Sequence, residues 1–100
     1  MGLDYNFNTD YEAVAISQTD QVLGVTGGAG DVLDKLVVSV ATALTGTVSI
    51  KDGGGSAITI TAANTPIGVY SVNIGARSTA GAWKVTTGAG ATVLAIGKFK

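Results

Sequence analysis

Side chains that could carry out chemistry are scarce in this sequence of 100 residues. It contains no histidine and no cysteine, so the usual general base and the thiolate metal ligand are both missing. Asp31 and Asp34 are close in sequence, but a spacing of three residues on a strand directs them to opposite faces. We therefore expect no enzymatic activity, no catalytic residue, no cofactor and no metal ion. The carboxylates are scattered, at Asp4, Asp10, Glu12, Asp20, Asp31, Asp34 and Asp52.

Glycine clusters occur at three places and have to be compared with phosphate-binding loops. A Walker A loop requires a lysine and a hydroxyl residue after its last glycine, and a dinucleotide-binding loop requires Gly-x-Gly-x-x-Gly. None of the clusters fits either pattern, so the sequence predicts tight turns at all of them. The clusters are Gly27-Gly28-Ala29-Gly30, Gly53-Gly54-Gly55 and Gly88-Ala89-Gly90.

The single tryptophan, Trp83, and the single arginine, Arg77, lie in or beside one loop. Both residue types are enriched among the side chains that dominate binding energy at interfaces. Three interpretations are open for Trp83. It fills the core of a small sandwich, it forms a protein interface with Arg77, or it is a platform on which a sugar stacks.

The first ten residues differ in character from the rest of the chain. Leu3, Tyr5 and Phe7 alternate with Asp and Asn, which disfavour a core strand. Residues 1–10 are therefore either a frayed terminus or an extended arm that becomes ordered on a neighbouring subunit. In the second interpretation these side chains and Tyr11 are anchors. The candidate partner-binding residues are then Leu3, Tyr5, Phe7, Tyr11, Arg77 and Trp83.

Charge is sparse for a domain of this length. Charged residues make up 13% of the chain, about half of the usual ~25%. A surface poor in ions loses little hydration on contact with protein, which favours a homo-oligomer or a larger assembly. A small β protein with a threonine-rich face explains the composition equally well. The net charge of −1, with the basic residues scattered, argues against a nucleic-acid partner.

The sequence predicts neither a membrane span nor secretion. Residues 53–76 carry no charge over a sufficient length, but glycines, hydroxyl residues and Asn64-Thr65-Pro66 interrupt them. The N-terminus has Asp4 and Asp10 but no cationic region of the kind that begins a signal peptide. The lack of cysteine fits assembly in a cytoplasm.

Alternation of apolar and polar residues predicts seven or eight short strands. A helix over residues 31–44 is the competing interpretation, and the β-branched Val32, Val37 and Val38 disfavour it. The pattern is typical of an all-β fold, a single antiparallel β-sandwich or small barrel of jelly-roll type over residues 11–100. The expected strands cover residues 11–16, 21–25, 32–41, 47–52, 57–62, 69–74, 84–87 and 92–99.

The same alternation predicts turns and inward-facing side chains. Asp52-Gly53 begins one hairpin, and Gly88-Ala89-Gly90 is expected to join the last two strands as another. In the strand over 32–41, Leu33 is expected on the face of Val37, and Asp34 on the opposite face with Leu36. Thr61 is expected to point outward. Inward positions are expected at Ile58, Ile60, Ala62, Tyr70, Val72, Ile74, Val85, Leu94 and Ile96.

Five short segments also carry a resemblance to known proteins. They are Lys35-Leu36-Val37-Val38, Gly46-Thr47-Val48-Ser49-Ile50-Lys51-Asp52-Gly53, Ser56-Ala57-Ile58-Thr59-Ile60, Pro66-Ile67-Gly68-Val69-Tyr70 and Gly81-Ala82-Trp83-Lys84-Val85-Thr86-Thr87-Gly88. Together they resemble small structural proteins of tailed bacteriophages, in particular capsid decoration (cement) proteins and related head-fibre domains. The similarity extends over residues 33–99 and includes no catalytic motif.

This resemblance implies a β-sandwich that binds the major capsid protein on the outer surface of the virion, as a trimer, and stabilises the expanded head. It implies synthesis in the host bacterial cytoplasm and docking through an N-terminal segment, here residues 1–11. Two alternatives remain. One is a fibre or tail-associated module that recognises host-surface carbohydrate through Trp83 and Tyr70, and the other is a different self-assembling structural subunit.

Overall fold

The computed structural model describes residues 10–24, 29–44 and 46–99, which form eight strands and no helix. The all-β prediction is therefore confirmed. The first strand begins at Asp10, and the rest of the predicted arm lies outside the described residues. The strands are β1 (Asp10–Val14), β2 (Gln21–Val22), β3 (Val32–Val40), β4 (Val48–Asp52), β5 (Ile58–Thr61), β6 (Gly68–Arg77), β7 (Trp83–Thr86) and β8 (Ala91–Lys98).

Two four-stranded antiparallel sheets form a sandwich. Sheet A has the order β1-β8-β3-β6, and sheet B has the order β2-β7-β4-β5. The first strand thus pairs with the last, the second with the seventh, the third with the sixth and the fourth with the fifth. Pairing of β3 with β8 and of β4 with β7 completes the sheets. This strand order is that of a jelly roll, in which one long hairpin is rolled up on itself.

The inner faces of the two sheets share one apolar core. Leu23 and Leu44, from the connections, are buried in the same cluster. Most of these side chains are aliphatic, and burial of each large one contributes about 1.5–3 kcal/mol. Sheet A supplies Val14, Leu33, Leu36, Val38, Val40, Ala91, Val93 and Ala95, and sheet B supplies Val48, Ile50, Trp83 and Val85.

A β-bulge in β3 reverses the predicted direction of two side chains. The register with β8 shifts between Leu33 and Lys35, so Asp34 is an extra residue on β3. Leu33 and Leu36 are both buried, and Asp34 is exposed. The predicted faces of Leu33 and Asp34 are therefore wrong, because strict alternation does not account for an inserted residue.

A second irregularity changes the orientation of Thr61 on β5. The register between β4 and β5 shifts between Val48 and Ser49. Ile60 is an extra residue on β5, so Thr61, predicted to point outward, lies opposite the core residue Val48 and is buried. Ile58 lies opposite Ile50, on the predicted face, but is 50% exposed. Ala62, predicted inward, is exposed as well. Only Ile60 of the predicted inward set on this strand packs against the core.

The second predicted hairpin does not form. Gly88-Ala89-Gly90 connects β7 in sheet B to β8 in sheet A, so this connection crosses from one sheet to the other. In β8 the core residues are Ala91, Val93 and Ala95, while Leu94 and Ile96 lie half-buried on the opposite face. The prediction for Leu94 and Ile96 is wrong because β8 is apolar on both faces. The inward positions of Tyr70, Ile74 and Val85 are confirmed.

Gly97 gives a test of the bulge. It lies opposite Leu33, and a β-carbon at this position would collide with the main-chain carbonyl oxygen of Val32. We expect Gly97→Ala to lower the free energy of unfolding by about 2–3 kcal/mol, since overpacking next to rigid backbone is not easily relieved. Denaturant titration followed by Trp83 fluorescence measures this. Gly46→Ala is the control, because nothing lies within 4 Å of the added carbon, and a change of equal size there would contradict the argument.

Candidate functional site

The outer face of sheet A, here called the A face, is uncharged over most of its length. Direct cross-strand partners share one face of a sheet, so the pairings define rows across it. The middle row is Ala13, Leu94, Val37 and Ser71, and it carries no charge. The A face includes Tyr11, Ala13, Val32, Lys35, Val37, Ser39, Val69, Ser71, Asn73, Arg77, Thr92, Leu94, Ile96 and Lys98.

The margins of the A face hold its most exposed apolar side chains. Tyr11 on β1 is 73% exposed, and Val69 on β6 is 70% exposed. Ile67, just before β6, is 68% exposed. The charged residues of the face lie toward one end, where Lys35 stands between Ile96 and Asn73 and the next row holds Lys98, Val32 and Arg77. An uncharged middle with charges only toward one end is typical of a protein contact.

A depression of about 390 Å³ lies at the β1 side of this face. It exists because the side chains on β1 and just after it are alanines, which leave room beside Leu94. Ser39 and Thr92 supply the hydroxyl groups of its wall, and no charged residue lines it. The depression therefore fits an apolar side chain of a partner better than an ion. Its lining residues are Ala13, Val14, Ala15, Ser39, Thr92, Val93 and Leu94.

The outer face of sheet B has the opposite character. Lys84 and Lys51 are cross-strand neighbours there, and Asp20 lies beside them, with its carboxylate 3.2 Å from the Lys51 ammonium group. Thr86 donates a hydrogen bond to the same carboxylate. The hydrogen bond from Lys51 is the main cause that lowers the pKa of Asp20. A hydrated, charged face of this kind resists desolvation, so the A face is the better contact surface.

The predicted partner-binding residues are found in different places. Tyr11 lies on the A face, in the same row as Ile96. Leu3, Tyr5 and Phe7 lie outside the described residues, so their role stays a prediction. Arg77 ends β6, at the charged end of the A face, and is exposed.

Trp83 lies in the core and is 4% exposed. Its indole N–H donates a hydrogen bond of 3.1 Å to the main-chain carbonyl of Asp31, which satisfies the polar atom of the buried ring. Among the three interpretations of Trp83, the structure therefore selects the core. A ring in this position does not contact a partner directly.

The loop between Arg77 and Trp83 is held in place by Asp52. The Asp52 carboxylate accepts hydrogen bonds from the main-chain N–H groups of Thr79 and Ala80 and from the Thr79 hydroxyl, at 2.9–3.0 Å. The bond from Ala80 is the largest cause that lowers the pKa of this carboxylate, followed by the bond from Thr79. The loop is thus fixed to the β4–β5 hairpin, and the main-chain N–H groups of Thr79 and Ala80 are already used within the protein.

Other kinds of site were sought in the same residues. In residues 10–24, 29–44 and 46–99, no group of three or more acidic, histidine or cysteine side chains is placed to hold a metal ion. No helix in this part of the chain is long and apolar enough to cross a membrane.

Most of the A face was not predicted from the sequence. Ala13, Val37, Val69 and Leu94 were not predicted to bind a partner, and Leu94 was expected in the core. One signal could have found the face, because β3 and β8 are apolar on both sides although a sandwich buries only one side of each sheet.

No protein-family model, curated protein or solved structure matches this chain.

Acid titration tests the role of Asp52. Because its pKa is lower in the folded chain, its hydrogen bonds stabilise the fold fully above the unfolded value of about 3.9 and less as pH falls below it. We expect Asp52→Asn to be less stable at pH 7 and to lose less stability between pH 5 and pH 2 than the unchanged chain. Thr79→Val removes one of the donors and should have a smaller effect. Equal acid sensitivity of Asp52→Asn and the unchanged chain would refute this role.

Proposed function

We propose that this chain is a non-enzymatic structural protein that attaches to the outer surface of a bacteriophage capsid and stabilises the head as a decoration, or cement, protein. The observation that carries the proposal is the uncharged middle row of the A face, from Ala13 through Leu94 and Val37 to Ser71. The resemblance of residues 33–99 to phage decoration proteins is the reason for proposing a bacteriophage capsid as the particle. The jelly roll also occurs in viral capsid proteins and lectins, which supports the proposal only by analogy.

The A face suits attachment to a shell for a physical reason. Its charges lie toward one end, so few ions have to be desolvated when the rest of the face is covered, and burial of Tyr11, Val69 and Leu94 gives a net gain. A shell presents the same contact many times, so each copy needs only modest affinity to stabilise the particle. The partner in this proposal is the major capsid protein, bound by a homo-oligomer for which the resemblance implies a trimer.

The carbohydrate-binding alternative depended on an exposed aromatic platform. Trp83 is buried, and Tyr70 is half-buried against the core, with its hydroxyl donating to the carbonyl of Pro66. These two rings therefore offer no stacking surface on the outside of the sandwich. The other alternative, a different self-assembling structural subunit, would use the same A face and differ only in its partner.

Binding to empty shells tests the proposal. Expanded heads of the phage that encodes the chain, assembled without it, are mixed with the purified protein and sedimented. We expect the unchanged chain to sediment with the heads and to raise the temperature at which they rupture. Ala13→Lys, which puts a charge on the middle row at an exposed position, should weaken binding at least tenfold, about 1.4 kcal/mol.

Thr59→Lys is the matched control, because Thr59 is exposed on sheet B and gains the same charge. It should bind the heads like the unchanged chain. Equal binding of Ala13→Lys and Thr59→Lys would remove the A face from the contact. Failure of the unchanged chain to bind, or its polymerisation without any shell, would contradict the decoration function.

The arm is tested separately. Deletion of residues 1–9 removes Leu3, Tyr5 and Phe7 but leaves β1 intact. If these side chains are anchors, the shortened chain should bind heads more weakly while its thermal unfolding stays unchanged. Unchanged head binding would mean that the segment has no part in docking.

A further inference from the structure

The four edge strands of the sandwich differ in length and charge. Sheet A ends in β1, with five residues, and in β6, with ten. Sheet B ends in β2, with two residues, and in β5, with four. β1 carries Asp10 and Glu12, whereas β6 carries no charge before Arg77. β6 is thus the longest edge and an uncharged one over most of its length.

An exposed edge presents unpaired main-chain N–H and C=O groups. Natural sheets protect such edges with short strands, prolines, charges or bulges, because an open edge pairs with another strand. β2 and β5 are protected by their shortness and β1 by its two carboxylates. Within the part of the chain that the structure describes, β6 has neither protection over residues 68–73, where it pairs regularly with β3 on its other side.

The regular part of β6 has a clear limit at each end. Pro66, which has no N–H to donate, precedes it. At the other end the register with β3 shifts, so that Ile74 and Gly75 lie where β3 has the single residue Asp34. Gly75 has a φ of 63°, which bends the strand in a way that other residues rarely permit. The open edge is therefore confined to residues 68–73.

We propose that this edge pairs in antiparallel fashion with β6 of a second copy of the chain. A two-fold axis perpendicular to the sheet places each open donor opposite an open acceptor of the identical strand. Residues of the two copies that lie directly opposite each other must point to the same face of the extended sheet, so the axis must pass through a residue. Within residues 68–73 this allows two registers, with Tyr70 or Ser71 on the axis. In the register with Ser71 on the axis, the two Ser71 residues lie directly opposite each other. In the register with Tyr70 on the axis, they are diagonal neighbours.

Charge favours a second copy as the occupant. The paired segment is neutral in both chains, so no like charges oppose each other. Arg77 lies beyond the segment, and the antiparallel arrangement places the two guanidinium groups at opposite ends, roughly 40 Å apart. The exposed Val69 gains a neighbour across the axis, either Asn73 or Ser71 of the other copy. A neutral, self-complementary edge thus needs no other partner.

The pairing would extend sheet A from four strands to eight and place two A faces side by side. The pairing does not depend on what the A face binds, so it can be tested independently of the proposed function. It is compatible with a trimer, because a two-fold contact can join copies that belong to neighbouring trimers. Two adjacent faces would raise the avidity for any repeating surface.

Single cysteines test the contact cleanly, because the chain has none of its own. Ser71→Cys, at an exposed position of β6, should form a covalent dimer with a bifunctional thiol reagent that spans about 8 Å, the reach of directly opposed and diagonal pairs. Ala13→Cys on β1 and Thr59→Cys on β5 are exposed controls on two other edges and should stay monomeric. Cross-linking at all three positions alike would refute the proposal.

Sedimentation of the uncross-linked protein provides the second measurement. The unchanged chain should show a concentration-dependent association of β6-paired copies, and Ser71→Lys, which brings two ammonium groups together near the axis, should raise the dissociation constant at least tenfold. Added salt should reduce this difference, since it screens the two charges. Thr59→Lys should associate like the unchanged chain. A chain that stays monomeric at millimolar concentration, or that associates equally well with Ser71→Lys, would overturn the inference.

Discussion

Contact between the inner faces of the two sheets is the interaction on which the other features depend. Neighbours in sequence contribute little to it, since β4 and β5 are the one consecutive pair that share a ladder among the described strands. Every other ladder joins distant segments, as β1 with β8 does, and it forms only when both segments bury their apolar faces against the opposite sheet. Ordering so many distant residues is opposed by chain entropy, and burial of the aliphatic core offsets it.

The bulge at Asp34 shows how this constraint acts on single residues. With strict alternation, β3 would turn either Leu33 or Leu36 away from the core. The extra residue allows both to be buried, and Gly97 on β8 leaves room for the main chain of Val32 that results. The same shift continues into β6, where Gly75 bends the edge strand. One local irregularity therefore improves the core and also limits the open edge of the sheet to residues 68–73.

The two outer faces follow from the same packing. Once the inner faces are buried, β3 and β8 still carry a second set of apolar side chains, including Val37 and Leu94, which have to lie outside. On sheet B the corresponding positions hold Lys51 and Lys84, balanced by Asp20. The outer face of sheet B is therefore charged on its two central strands, whereas the charges of the A face, Lys35, Arg77 and Lys98, lie toward one end. This asymmetry gives both the docking proposal and the extension of sheet A their physical basis.

The sequence by itself determined the all-β class, the β4–β5 hairpin and most strand positions, because alternation and turn residues are local signals. A core position for Trp83 was one of three interpretations that the sequence left open. The tertiary structure alone decided which strands pair, that Leu94 lies on the A face, that Thr61 is buried and that Asp52 fixes the loop after Arg77. The reason is that a strand apolar on both faces, or one with an inserted residue, has no local preference for either face. Contact with the opposite sheet decides which face points inward, because the side chains on that face are buried there.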